Sequence, residues 1–331
     1  MAVPLLAAAL NPGPRQARVL RAQYRMGTVL EIDAVGAYLA RTEEAVANAF
    51  AAVGSVETRL SNWKPDSELS RANRRAARAP VALSPATFRS LSAAFDLAAE
   101  SEGAFDPTVG AVTEGLELTG GPVAPERAAA GAAAVGYRFA RLEPAGRTLA
   151  FERPGVSIDS GAFGKGEALD RAAAALRRGG VEAARLNFGG QILVFGTATP
   201  AGRRHRYRRL AVAAPDLSGR IARGIVAGDG SLSTSGEAEK PGHLIDPRTG
   251  RAATFHGSAS VVADTALRAD ALSTALFVLG PEEGVAFADR RGIAALFLSS
   301  RAGEPPRTSR AWRAFPSWTA SEAREGRGRT R

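Results

Sequence analysis

Between Met26 and Ser299 the chain mixes strand-like and helix-like apolar patterns without a strict strand–helix–strand rhythm. A doubly wound parallel sheet needs that rhythm, because each parallel strand must be reached through a crossover. The pattern therefore points to an α+β fold, a single domain of mixed sheet and helix. YRMGTVLEIDA alternates well enough for a strand through Met26–Ile32. A long helix is expected over 36–60, with Ala40, Ala45, Ala49, Val53 and Val56 on its apolar side. The polar segment SNWKPDSELSRAN, broken by Pro65, reads as a loop or short turns; Ser67–Ser70 reads equally as a helix cap. Ser84 and Pro85 are the N-cap and first residue of a helix to Glu100.

Farther on, strands are expected at 138–142 and 147–151, then a helix over 166–178 ended by Gly179-Gly180. Paired strands follow at 183–188 and 191–196, and further strands at 208–214, 223–228, 231–234 and 257–263. A helix over 267–279 stops at Gly280-Pro281, where a second begins, and 293–299 is the last strand. This divides the chain into a flexible N-terminus at 1–23, one domain at 24–300 and an Arg-rich tail at 301–331. Trp312, Phe315 and Trp318 are candidates for pinning the tail to the body.

Composition narrows the chemistry. There is no cysteine, which removes disulfides, thiolate metal sites and thiol nucleophiles. The histidines are His205, His243 and His256, too few for a His-rich metal centre. A metal here should be a hard ion held by oxygen. The net charge is +10, but residues 301–331 supply eight arginines against three glutamates. A second basic cluster, Arg203, Arg204, Arg206, Arg208 and Arg209, surrounds His205. With no groove-reading module in sight, nucleic acid is not the expected partner; anionic ligands such as phosphates are. No apolar run reaches the ~20 residues of a membrane span. No export signal is read at the start, so a cytoplasmic protein is expected, or a periplasmic one if the N-terminus is truncated.

Five segments hold residues suited to chemistry. IDSGAFGKGEALD, residues 158–170, places glycines before a helix start, so main-chain N–H groups can face an anion. Lys165 within it is one of three lysines, and Asp159 serves equally as a turn former. It is not a Walker A loop, since Asp159 and Gly166 stand where that motif needs Gly and Ser or Thr. In LRADALSTALFVLG, Asp270, Ser273 and Thr274 share one helical face, half of an oxygen site for Mg2+; a dipole-facing Asp with back-bonded hydroxyls fits the same residues. GHLIDPRTG holds His243 in a turn, as a proton carrier or an incidental surface histidine. GAFDPTVG offers Phe105 for stacking on a planar ring and Asp106 for its polar edges, or else ends a helix with one buried aromatic. Trp63 in SNWKPDSELSRAN is a second flat wall.

Taken in order, MGT at 26–28, SNWKPDSELSRAN, GAFDPTVG, IDSGAFGKGEALD, LNFGG at 186–190, STSG at 233–236, GHLIDPRTG and ADALSTALFVLG resemble the FAD:protein FMN transferase (ApbE) family over about 24–299. The resemblance implies an α+β fold of the ApbE type that takes FAD with Mg2+. It implies transfer of FMN to a threonine hydroxyl of an acceptor flavoprotein, with release of AMP. By the same resemblance Asp270 and Thr274 are side-chain Mg2+ ligands, Ser273 is adjacent and Ala162 adds a backbone carbonyl. Lys165 and Asp159 contact FAD, and Met26, Trp63, Ala104, Phe105, Asp106 and Leu244 match positions lining its pocket. His243 is the candidate for activating the acceptor hydroxyl.

The chain departs from the family at Gln191, where FGGQ stands for the usual LGGD, and in the short EAEKP stretch at 237–241. The resemblance leads one to expect altered polar contacts at Gln191 and a more open rim. An FAD pyrophosphatase or a non-catalytic FAD-binding protein would use the same residues. The chain is not itself an acceptor: DGSLSTSG at 229–236 has the wrong spacing for the acceptor pattern D-G-x-x-[ST]-G-A-T.

Overall fold

The structure, a computed structural model, describes residues 17–113, 125–196, 209–216, 218, 220–238 and 242–318. The basic cluster at 203–208, the end of the EAEKP stretch at 239–241 and the tail from 319 lie outside those residues. Strands β1 (Ala17–Arg25) and β2 (Thr28–Gly36) open the fold, followed by α1 (Leu39–Leu60), α2 (Glu68–Arg75), β3 (Val81–Ala82) and α3 (Pro85–Glu100). After α4 (Pro125–Ala134) come β4 (Ala140–Glu143), β5 (Thr148–Phe151), α5 (Gly164–Arg178), β6 (Val181–Phe188) and β7 (Gln191–Phe195). The remainder is β8 (Arg209–Ala213), β9 (Ile221–Val226), β10 (Gly230–Gly236), β11 (Ile245–Asp246), β12 (Arg251–Ala252), β13 (Gly257–Ala263), α6 (Ala266–Arg291), β14 (Ala294–Ser299), β15 (Arg307–Thr308) and β16 (Ser317–Trp318).

An eight-stranded antiparallel sheet, ordered β1-β2-β6-β7-β10-β13-β14-β15, runs through the molecule. Its two faces feed two apolar cores. Strand period two sorts β7: Leu193 and Phe195 join the core under the helices, while Ile192 and Val194 join the other. All five β7 residues are buried, as in a strand covered on both faces. The helix-side core takes Ala49, Val53 and Val56 of α1, Leu169 and Leu176 of α5, and Leu272 and Leu276 of α6. The second core lies against the small sheet β16-β9-β8 and contains Leu210, Val212, Ile225 and Trp312.

Several expectations need correcting or resolving. The strand expected over Met26–Ile32 is a hairpin: Met26 and Gly27 have φ of 44° and 81° and turn β1 onto β2 with Arg25 opposite Thr28. Residues 17–23, assigned to the flexible N-terminus, are therefore most of a nine-residue edge strand. The segment 60–73 is a turn followed by α2, capped by Ser67, whose Oγ accepts the Ser70 N–H at 2.9 Å. The two helices expected on either side of Gly280-Pro281 are continuous apart from a break at Gly280 (φ 72°, ψ 175°). By length and mean hydropathy α6 could span a bilayer, but it is interrupted there and packs against β10, β13 and α5. The beginning of the tail belongs to the body. Trp312 is buried, and Trp318 Nε1 donates to the Ile225 carbonyl at 3.0 Å.

Candidate functional site

The glycine-rich turn is held in place by two asparagines from the preceding polar segment. Asn73 pairs with the Ile158 peptide: its Oδ1 accepts the N–H at 3.0 Å and its Nδ2 donates to the C=O at 2.9 Å. Asn62 Nδ2 donates to the same carbonyl at 2.7 Å, and its Oδ1 accepts the Ser160 N–H at 3.0 Å. Ser160 Oγ donates to the Leu60 carbonyl at 2.7 Å, and the Asp159 N–H to the Pro107 carbonyl at 2.7 Å. A side-chain amide offers a donor and an acceptor in one plane, which is what a free peptide group requires. Sequence reasoning passed over both asparagines for Trp63. The signal available was a pair of amides in a polar stretch whose few apolar residues, Leu69 and Ala72 among them, go into the core.

The turn leads into α5, whose first residues meet the first turn of α6. Gly166 makes the approach possible: a Cβ there would lie 2.4 Å from the Ala266 carbonyl oxygen and 2.6 Å from Leu267 Cα. Its N–H donates to Asp270 Oδ2 at 3.0 Å. The start of α6 is also held by Asp170, whose carboxylate accepts the Ala266 and Leu267 N–H groups at 2.8 and 2.9 Å. Burial pushes the Asp170 carboxyl up to about 6 against those two hydrogen bonds.

Asp270 is itself buried, at 5% exposure. Burial raises its pKa, while the Lys165 ammonium, the Gly166 N–H and the Ser233 hydroxyl pull the other way. Around it sits a set of hydroxyls. Ser273 Oγ donates to the Asp270 carbonyl at 2.9 Å, and Ser235 Oγ bonds Ser273 Oγ at 2.9 Å and Thr274 Oγ1 at 3.1 Å. Ser233 reaches Asp270 Oδ1 only weakly, at 3.4 Å. Ser233 and Ser235 come from the STSG segment on β10, so the sheet supplies half of the cluster and α6 the other half.

The expected pocket walls divide. Met26 lies in the β1–β2 turn with its methyl group against Gly164, so the hairpin tip does border the turn. Trp63 is 73% exposed, its ring outside the body. Ala104 and Phe105 are each 2% exposed, and the Phe105 ring packs edge-on to Phe163 with centroids 6.5 Å apart. Phe105 thus supports the glycine turn from behind and presents no open face for stacking. Asp106 is buried with both carboxylate oxygens engaged: Oδ1 by the Thr108 N–H (2.8 Å) and Oγ1 (2.6 Å), Oδ2 by the Tyr137 N–H (2.6 Å). Burial raises its pKa, and those three hydrogen bonds lower it in turn. Its place is structural, fixing the loop before the turn.

Asp159 is likewise tied locally, accepting the Gly161 N–H and the Thr113 hydroxyl at 2.8 Å each. Leu244 packs on the helix-side core, and His243 beside it is exposed, in the loop before β11.

Among the described residues no cluster of three Asp, Glu or His side chains could hold a metal. A cation at this place would rest on one carboxylate, hydroxyls and backbone oxygens, plus oxygens brought by a ligand. The residues present fit a hard ion on those terms. Asp270 is a buried carboxylate with one oxygen loosely held, Thr274 Oγ1 is one turn on, and no backbone N–H among the described residues takes the Ala162 carbonyl. A cleft of about 340 Å³ lined by Glu167, Asp170, Arg171, Arg177, Asp264 and Thr265 is separate from this cluster; neither Lys165 nor Asp270 lines it.

Comparison with known proteins extends the picture. A family model described as the ApbE family matches residues 26–297. An FAD:protein FMN transferase of Rhodobacter capsulatus is 32% identical over 287 residues, 82% of this chain and 54% of that protein. The chain thus spans about half the length of that relative. One from Vibrio cholerae is 32% identical over 261 residues, 73% of this chain and 75% of that one. Among solved structures, the flavin transferase ApbE from Vibrio cholerae superposes with a TM-score of 0.77 at 27% identity, covering 91% of this chain and all of that one. The apo form of the Pseudomonas stutzeri flavinyl transferase ApbE gives 0.77 at 25% identity, covering 90% and 96%.

Proposed function

The chain belongs to the ApbE family, and from that premise we propose that it is an FAD:protein FMN transferase. The substrate is FAD, the acceptor a threonine hydroxyl of a flavoprotein, and the leaving group AMP. The observation that best supports this is the buried Asp270, set where the glycine turn meets α6, with Thr274 one turn on and the Lys165 charge acting on it. Oxygen donors of this kind suit a pyrophosphate-bound hard cation better than any redox chemistry.

In this reading Asp270, Thr274 and the Ala162 carbonyl, with Ser273 adjacent, would hold Mg2+. Bound there, the ion would offset negative charge on the pyrophosphate. Lys165 binds phosphate oxygens through its ammonium group. Asn62 and Asn73 keep the turn in shape, and Met26 borders the flavin nucleotide. His243 takes the proton of the acceptor hydroxyl on an imidazole nitrogen. The hydroxyl oxygen forms a bond to the FMN phosphorus, the P–O bond to the AMP phosphate breaks, and AMP leaves with that electron pair.

The test is intact mass spectrometry of a threonine-motif acceptor domain incubated with this protein, FAD and Mg2+. The expected result is a covalent FMN adduct that is absent without Mg2+. Free FMN and AMP with no adduct would overturn the transferase reading for that acceptor in favour of hydrolysis. Unchanged FAD would overturn catalysis altogether and leave a flavin-binding protein.

A further inference from the structure

Gln191 begins β7 directly after the Gly189-Gly190 turn and is 3% exposed. Its Nε2 donates to the Ala266 carbonyl at 2.7 Å, while its Oε1 is buried without a partner. The amide orientation follows from this contact, since the reverse would set two acceptors against each other. A buried unpartnered acceptor costs stability, so the stabilising part of Gln191 is the Nε2 contact alone.

That contact falls at a junction. The Ala266 carbonyl is the group that receives the Asp270 N–H in the first turn of α6, by the i to i−4 rule. The same oxygen lies against Gly166, whose N–H holds the Asp270 carboxylate. The Ala266 and Leu267 N–H groups of this first turn are fixed by Asp170, and the Arg268 N–H by the Thr265 cap. Gln191 is the side chain that fixes its carbonyl side.

We propose that Gln191 is a positioning residue for the reaction: it anchors the Ala266 carbonyl and so sets where Asp270 stands. It touches neither substrate nor metal. The inference rests on the metal-dependent reading above. It also gives the departure from the family's acid a physical content, because a carboxylate could not donate to a carbonyl.

The test is Gln191→Met, which keeps an unbranched side chain of similar volume and removes both polar atoms. Gln191→Leu serves if that variant does not fold. Mn2+ binding is followed by electron paramagnetic resonance, FAD binding without metal by fluorescence quenching, and stability by thermal unfolding. Mn2+ affinity and kcat should fall by about 10- to 100-fold, as for other residues that orient a metal ligand. Metal-free FAD affinity should stay within about twofold, and the midpoint of unfolding should hold or rise. Mn2+ affinity and kcat equal to wild type would overturn the proposal alone. So would a loss of stability in step with activity, or failure of both variants to fold, since Gln191 would then be a structural residue. A wild-type protein that binds no Mn2+ would overturn the metal reading as well.

Discussion

Replacing Gly166 with alanine tests whether the contact between α5 and α6 places Asp270. The added methyl would meet backbone on the facing helix, with the Ala266 oxygen at 2.4 Å and Leu267 Cα at 2.6 Å. Backbone cannot rotate out of the way as a side chain can, so the two helix starts must part by about 1 Å to restore van der Waals contact. Overpacking of this kind costs about 1–3 kcal/mol. Stretching the Gly166 N–H bond to the Asp270 carboxylate removes a charge-assisted contact of about 1.5–3 kcal/mol, in part. A net loss of about 2–4 kcal/mol lowers the unfolding midpoint by roughly 3–6 °C. The effect on chemistry should be larger than the effect on folding, because a displacement of 1 Å at a reacting group costs roughly 100-fold in rate.

The assay is the initial rate of Mg2+-dependent FMN transfer, measured well below the variant's own midpoint. Gly164→Ala is the steric control: its Cβ would find Met26 Cε at 3.4 Å and Ser160 Cβ at 3.5 Å, ordinary contacts, so stability should change by less than about 1 kcal/mol. A Gly166→Ala protein with wild-type rate and wild-type Mg2+ requirement would refute the reasoning, whatever its midpoint.

Three further outcomes are expected. Asp270→Ala should abolish Mg2+-dependent turnover in a protein that still folds, since an apolar side chain removes a buried carboxylate that is costly to ionise; unchanged turnover would remove it from the metal site. Lys165→Ala should raise the Kd for FAD by about tenfold, the loss of one charge-assisted phosphate contact, and an unaltered Kd would sink that role. Asp170, with its folded pKa pushed up to about 6 from 3.8, binds its proton more tightly folded than unfolded. Stability should therefore fall as pH rises from about 4 to about 6, by roughly 3 kcal/mol, and then level off. Urea unfolding of wild type and Asp170→Asn at pH 4.5 and 7 checks this, because the variant should lose that dependence.

How much the sequence discloses depends on how far each partner lies along the chain. Asp270, Ser273 and Thr274 were legible as one face because helix periodicity is local, and the structure groups them with hydroxyls of the STSG segment. β1 was illegible because an edge strand exposes both faces: of its nine residues only Val19 is buried, so no alternation marks it. Asn73 and Gln191 were illegible in role because their partners lie 85 and 75 residues away. Phe105 and Asp106 were legible as important but not as to why. A fully buried ring supporting a turn and an exposed ring stacking on a ligand look alike in a string of letters.

The small sheet has a consequence for how the chain is made. Its middle strand, β9, receives β8 from earlier in the sequence but β16 from the last of the described residues. Trp312 and Trp318 arrive only after all eight strands of the large sheet have been synthesised. Until then Leu210, Val212 and Ile225 have an incomplete cover, and the nascent protein exposes an apolar layer of strand edges. A ribosome that stalls or a message cut short before Trp312 would leave a chain whose α5–α6 junction is already encoded in full, yet whose other face invites aggregation. Trp312 and Trp318 thus complete the cover of a core that lies across the large sheet from the α5–α6 junction.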